Sequence, residues 1–339
     1  MPVGRIDKKF FIKALLFKGE NQDALFLKAR GSRNKSIFGS RIEVRSVIEF
    51  SNFCGQICNY CGMSRDCGIE RYTLKKEEFL SRVGFIYNKG RRVIVAQSGE
   101  ISSDRILMML CETIALAKSK FPGIEFIGSF GNLRKKQLKA VKEAGVSRYI
   151  LKFETSNPRL YKIIKPRDAL ARRIQCIRLL GELGFSVGTG NMIGLPGQTI
   201  EDIAGDLLLI KDLRLSMAST SVFIPHARSK FRSFPPGDID MALNYIALMR
   251  ISYPRLIIPS TSCLELLRKN GQYLGLMAGA NAITIHDGTP ASFKKLYTIY
   301  NLDRFQPDEY FVNRIVRKAK LKPCVSFLRK TNEDPWVTR

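Results

Sequence analysis

Four of the chain's eight cysteines fall within SNFCGQICNYCGMSRDC, residues 51–67. Three of them, Cys54, Cys58 and Cys61, follow the spacing C-x3-C-x2-C. Three thiolates so spaced can hold three irons of a [4Fe–4S] cluster, leaving the fourth iron without a protein ligand. An open metal position is where chemistry happens. A structural zinc site would need four nitrogen or sulfur ligands, usually from a paired spacing that repeats. The two histidines, His226 and His286, offer no such pair. Cysteines buried for packing usually occur singly. The triplet is therefore read as a metal-binding, catalytic set. Tyr60, just before the last thiol, would shield the cluster on one side and present an aromatic face on the other.

Such a loop needs a frame. Extended runs alternate with helical ones from residue 43 onward. The expected strands are 43–50, 92–98, 125–130, 148–154, 185–192, 218–224, 255–262 and 281–286. Helical patterns lie between them, several with a capping residue in front and Gly behind. Strands alternating with helices imply a parallel sheet, and eight repeats favour a closed (β/α)8 barrel of TIM type, in the α/β class. A doubly wound open sheet is the main alternative. Residues 1–42 read as a helical extension containing a basic linker, KARGSRNKS. The barrel covers 43–302, and 303–339 form a basic C-terminal extension, helical in part. Strand ends line the mouth of such a barrel. That places the triplet after the first strand, Ser98–Gly99–Glu100 after the second and Ser129 after the third. Glu154 ends the fourth. Met192, Ile224 and Cys263 follow the fifth, sixth and seventh.

The chain has 339 residues, 45% of them hydrophobic, enough for a large core. No run of about 18 uncharged apolar residues occurs, so no membrane span is expected. The N-terminus lacks the apolar segment of a secretory signal. A cytoplasmic location is expected, where clustered cysteines bind metals or react rather than form disulfides. Lys and Arg number 56 against 30 Asp and Glu, a net charge of +26. Such a charge attracts acidic partners, or it reflects a solvated basic surface. Zinc-finger spacing, RNP motifs and arginine-rich tails are absent, so nucleic acid is not the favoured partner.

IEFSNFCGQICNYCGMSRD resembles the signature of radical S-adenosylmethionine (SAM) enzymes. The resemblance falls in the biotin synthase-like branch, which includes HydE-type FeFe-hydrogenase maturases, methylornithine synthase and two-protein lipoyl synthases. QSGE, FETSNPRLYKIIKP, VGTGNMIGLPGQT, VFIPH and MAGANAI follow in the family's order. The resemblance implies that SAM chelates the open iron and is reductively cleaved to a 5′-deoxyadenosyl radical, which abstracts hydrogen from an unreactive C–H bond. It also implies roles. Ser98, Gly99 and Glu100 would contact the methionine amino group. Glu154 would bond the ribose hydroxyls or the methionine moiety, and Arg173 would pair with the SAM carboxylate. Met192 and Ile224 would line the adenine and ribose pocket, and Ser129 joins this cofactor-binding set. An acidic flavodoxin or ferredoxin would supply electrons.

The pattern also departs from biotin synthase. Where that enzyme carries auxiliary-cluster cysteines, this chain has Gln97 and Ser98, Ser129, and Thr189 and Gly190, so biotin formation is not expected. Cys67 and Cys263 either help ligate a second, sulfur-donating cluster or are isolated small residues. Cys111 and Cys176 sit on apolar helix faces, and Cys324 lies in the tail. His226 and His286 are substrate ligands or structural supports. The favoured reaction at this stage is sulfur insertion of the lipoyl synthase type, on an acidic carrier protein that the charge would suit. A HydE-like maturation or a methylornithine-type rearrangement is the alternative. A non-catalytic iron–sulfur or nucleic-acid-binding protein ranks last.

Overall fold

β1, Arg41–Ser51, is rich in β-branched residues and buried along nearly its whole length, as befits a strand covered on both faces. The computed structural model describes residues 8–300 and 305–327. Residues 1–7, the expected boundary at 302/303 and residues 328–339 lie outside them. Six further strands continue the sheet: β2 Val93–Ser98, β3 Glu125–Ser129, β4 Val146–Ile150, β5 Ser186–Ile193, β6 Met217–Val222 and β7 Ala282–Ile285. They run parallel in the order β6-β5-β4-β3-β2-β1-β7.

The expected seventh strand, 255–262, is reduced to isolated bridges that close the ring. Ile257 N donates to Ser216 O (2.9 Å) and Ala218 N to Ile257 O (3.1 Å). On the other side, Ser260 N donates to Ala282 O (2.9 Å) and Ala282 N to Ile258 O (3.1 Å). Pro259 has no N–H and interrupts the ladder, and the helix Ser262–Leu267 begins at once. The architecture is thus an α/β barrel of eight staves, one of them irregular. The expected fourth strand likewise stops at Ile150, and Glu154 rejoins the sheet through a single bridge to Asn191.

Helices cover the outside. Thr199 caps the helix Ile200–Asp212 in a capping box with Asp202. The expected linker KARGSRNKS is instead helical as far as Lys35, within Gly19–Lys35. Tertiary contacts override its polar composition. Arg33 Nη1 donates to Leu276 O (2.8 Å) and Ala280 O (3.1 Å), and Ser32 Oγ to Arg250 O (3.0 Å). At the other end, the helix Glu309–Lys318 leads into β8, Lys322–Cys324, which pairs with β1 at residues 41–43.

The barrel floor is closed and rigid. Val47, Val95, Ile127, Met217 and Ile257 form an inner apolar layer with Phe38 and Phe327, whose ring centroids lie 4.5 Å apart. Beside it is a buried ion network. Arg148 Nη1 and Nη2 fork onto Glu43 (2.8 and 3.0 Å), Nη2 also reaches Glu125 (2.7 Å), and Arg45 Nε binds Glu43 (2.7 Å). Burial opposes the Glu43 charge, but Arg148 and Arg45 hold its pKa down to about 2. Chemistry is left to the opposite, C-terminal end of the strands. Among the described residues no helix is long and apolar enough to cross a membrane.

Candidate active site

Residues 52–64, after β1, form an irregular loop clamped from several sides. Asn52 Nδ2 donates to Glu70 O and Leu296 O (both 2.8 Å), and Asn52 Oδ1 accepts from Tyr72 N (2.8 Å). Arg71 reaches the carbonyls of Asn52 (2.7 Å), Met63 (3.0 Å) and Ser64 (2.7 Å). Gly55 N donates to Glu100 O (2.9 Å) and Gly62 N to Ile299 O (2.9 Å). Gly62 packs so closely on His226 that a Cβ there would lie 2.4 Å from Cδ2. His226 therefore backs the loop; it is not among the residues lining the cavity, whereas His286 is.

Every residue expected to hold the first cluster or SAM lines one cavity of ≈ 400 Å³ at the barrel mouth: Cys54, Cys58, Tyr60, Cys61, Ser98, Gly99, Glu100, Ser129, Glu154, Arg173, Met192 and Ile224. Among the described residues, no three His, Cys, Asp or Glu side chains converge as a single metal ion requires. The three thiols of Cys54, Cys58 and Cys61 nevertheless line the same cavity. Cys54 Sγ accepts from Glu100 N (3.3 Å) and Gln56 N (3.5 Å). Burial pushes the Cys58 and Cys61 thiols up, with the neighbouring thiols adding to it, so metal binding there must displace protons. The cradle is tight: a Cβ on Gly99 would lie 2.3 Å from Phe53 O and 2.7 Å from Cys54 Cβ.

Opposite the thiols, Arg173 is held in a network. Its Nη2 donates to Glu100 Oε2 (3.0 Å) and Asp168 Oδ2 (2.9 Å), and its Nε to Tyr161 OH (3.0 Å). Tyr161 OH in turn donates to Asp168 (2.7 Å), and Gln56 Nε2 to Glu100 Oε1 (2.6 Å). Nη1 lies outside this network. Burial works against the Arg173 charge, but Glu100, Tyr161 and Asp168 more than offset it and raise the pKa well above the usual value. Burial would raise Asp168, but the Arg173 charge keeps it below the usual carboxylate range. Asp168, Tyr161, Gln56 and Lys165 were not among the expected site residues. Asp168 and Lys165 lie five and eight residues before Arg173, a proximity that was the available signal.

Glu154 has φ of 64°, the left-handed region that side chains rarely adopt. The conformation is fixed on both sides: Glu154 N donates to Gly190 O (3.0 Å) and Met192 N to Glu154 O (2.8 Å). Strained backbone of this kind concentrates at functional sites. Burial opposes its charge, but Lys152, with Nζ 3.0 Å from Oε2, keeps its pKa low. Tyr60 is buried among Leu160, Ile164, Met192, Phe223 and Phe231. Burial, aided by Glu154, holds its phenol protonated, well above its usual value.

The two extra cysteines are separated. Cys263 lines the cavity, its Sγ 3.1 Å from Thr261 Oγ1. Cys67 ends a 3-10 turn, Arg65–Cys67, outside the cavity lining, with Sγ 3.5 Å from the carbonyls of Cys61 and Arg228. Gln97, Ser129 and Thr284 also line the cavity, and among the described residues their side chains make no hydrogen bond within the protein.

Residues 48–210 match the model of the radical SAM superfamily. The chain is 36% identical over 279 residues to the [FeFe] hydrogenase maturase subunit HydE of Thermotoga maritima, covering 82% of this chain and 79% of that protein. It is 27% identical over 290 residues to 3-methylornithine synthase of Methanosarcina acetivorans, covering 84% and 79%. Among solved structures, methylornithine synthase PylB superposes with a TM-score of 0.83 at 23% identity over 95% of both chains. HydG from Carboxydothermus hydrogenoformans gives 0.81 at 21% identity, over 96% of this chain and 77% of that one. Triplet, barrel and kinship agree: the chain belongs to the radical SAM superfamily, enzymes that work with a [4Fe–4S] cluster and SAM.

Proposed function

We propose that this enzyme is a HydE-type maturase whose radical acts on a small polar molecule held inside the barrel. The observation that carries the reading is the polar part of the cavity lining. Gln97, Ser129 and Thr284 line the cavity, with no side-chain partner among the described residues. A saturated acyl chain would bury them unpaired, at roughly 1–3 kcal/mol each. A small polar substrate would satisfy them. Similarity to the Thermotoga HydE over most of both chains supports the same class. Sulfur insertion of the lipoyl type loses its basis, because Cys67 and Cys263 do not share a site.

Cys54, Cys58 and Cys61 would hold the cluster, which when bound would supply the one-electron chemistry of SAM cleavage. The chain's own groups bind and orient. Cys54, Cys58 and Cys61 supply the thiolates. Arg173, already fixed by Glu100, Tyr161 and Asp168, offers its remaining nitrogen to the SAM carboxylate, so little ordering is left to do on binding. Gly99 lets the backbone approach the methionine moiety, and Glu154 faces the ribose. Met192 and Ile224, with the apolar wall around Tyr60, keep water from the reacting atoms.

Three measurements test this reading. Reconstituted enzyme should hold close to four irons per chain; about eight would revive the sulfur-donor reading. Dithionite-driven release of 5′-deoxyadenosine should disappear in Cys58→Ala, and normal turnover in that variant would remove the triplet from the mechanism. The enzyme should also replace HydE in a reconstituted maturation of apo-[FeFe] hydrogenase; no hydrogenase activity there would reject the maturase assignment.

A further inference from the structure

The cluster loop has an outer side as well as a cavity side. Asn59, between Cys58 and Cys61, is the point where two surface segments meet. Its backbone N donates to Ile164 O (2.9 Å) and its Nδ2 to Ile163 O (2.7 Å). Its carbonyl accepts from Phe231 N (3.1 Å). Segments 158–169 and 226–237 are thereby tied to one residue of the metal loop. Their exposed charged side chains are all cationic: Arg159, Lys162 and Arg167 on the first, Arg228, Lys230 and Arg232 on the second. The one acid in either segment, Asp168, is buried. Two large apolar side chains are also exposed there, Ile163 at 54% and Phe234 at 44%. Phe234 stacks edge-on against Phe231, with centroids 5.5 Å apart.

A solvated basic face alone would not place apolar side chains among its charges, nor bond both segments to the metal loop. An apolar centre with a charged rim is the anatomy of a protein interface. A mainly cationic rim, with Asp238 and Asp66 at its edges, selects an acidic partner and steers its approach. The chemistry requires a reductant, and both segments are bonded to Asn59, a residue of the loop that carries the thiols.

We propose that the surface formed by 158–169 and 226–237 is the docking site of an acidic one-electron carrier protein, a deepening that rests on the cluster assignment above. One electron passes from the reduced carrier to the cluster. The carrier is oxidised by one electron, the cluster reduced by one, and no bond is made or broken.

The test compares two triple variants of equal charge change. Lys162→Glu/Lys230→Glu/Arg232→Glu alters the surface; Lys135→Glu/Lys136→Glu/Lys139→Glu alters an exposed helix elsewhere. Calorimetric titration with flavodoxin should show about tenfold or greater weakening for the first and a much smaller change for the second. Wild-type affinity should fall steeply as ionic strength rises. Carbodiimide cross-linking followed by mass spectrometry should join flavodoxin carboxylates to Lys162 or Lys230. Flavodoxin-driven release of 5′-deoxyadenosine should fall in the first variant while dithionite-driven release is kept. Equal weakening in both variants would reduce the effect to net charge and overturn the proposal. So would unchanged flavodoxin affinity in the first variant. Loss of dithionite-driven turnover in the wild type would instead strike the cluster assignment, because flavodoxin affinity is read independently.

Discussion

Asp206 has no exposed surface and stands behind the strand that supports Glu154. It accepts from Ser156 N (2.6 Å) and Asn191 Nδ2 (2.9 Å), and burial pushes its pKa up to about 7. An unfolded aspartate titrates near roughly 3.9. Between these values the folded chain binds more protons than the unfolded one. The stabilisation is complete below about pH 4 and is lost as pH rises toward 7, by about 1.4 kcal/mol per unit. Asp206→Asn should flatten that slope. The change is tolerable because buried Asn191 Oδ1 has no partner and can accept from the new amide after a flip. Urea unfolding between pH 4.5 and 7 checks this; an unchanged slope would acquit Asp206. Gly99→Ala tests the cradle. With a Cβ 2.3 Å from Phe53 O, the loop must shift, and most of the bound iron should be lost while the fold is kept. The thiols and Glu154 stood out in the sequence because they lie in motifs with a fixed order, and Arg173 because it lies 19 residues beyond Glu154 in the following helix. Tyr161 lies in one of those motifs and Asp168 close before Arg173, but their role is to hold Arg173, and sequence does not show which neighbour makes such a supporting contact.

The irregular stave at 255–260 is the weakest seam of the ring. It is held by isolated bridges to β6 and β7, whereas β1 pairs in unbroken register with β2 over residues 46–49. Amides of Ile257 and Ser260 should exchange with deuterium well before those of Val47 and Ile48. Equal protection in a mass-spectrometric time course would show that the seam is as firm as the ladder. Strands rich in Val and Ile were readable from their runs of β-branched residues. The stretch RLIIPSTS looked the same, and Pro259 was the warning against a full strand. KARGSRNKS misled in the opposite way. Its polar side chains suggested a linker, but Ala29 and Arg33 face the core, and carbonyls distant in sequence fix the helix. Periodicity within a segment cannot report such contacts.

At the scale of the whole molecule, the buried floor network is the costliest part to disturb. Arg148→Ala would leave Glu43 with Arg45 as its one guanidinium partner and remove an ion pair from Glu125. Deleting one member of a buried pair costs about 3–5 kcal/mol. Chemical denaturation should show a loss of that size; a loss under about 1 kcal/mol would mean that water reaches the floor. The +26 charge was compatible with an acidic partner or with a solvated basic surface and gave a place to neither, because composition carries no geography. The same floor constrains synthesis. Glu43 near the start of the chain is completed by the amide of Phe327 (2.9 Å), and Arg148 by the hydroxyl of Ser326 (2.8 Å). A ribosome delivers those two groups only after β1 to β7 have all been made. Until then the nascent barrel stands open at its base, with ion pairs half made and an apolar layer wet. Chaperones have their longest opportunity to bind in that interval, and a prematurely terminated product would be marked for proteolysis by the bottom it never received.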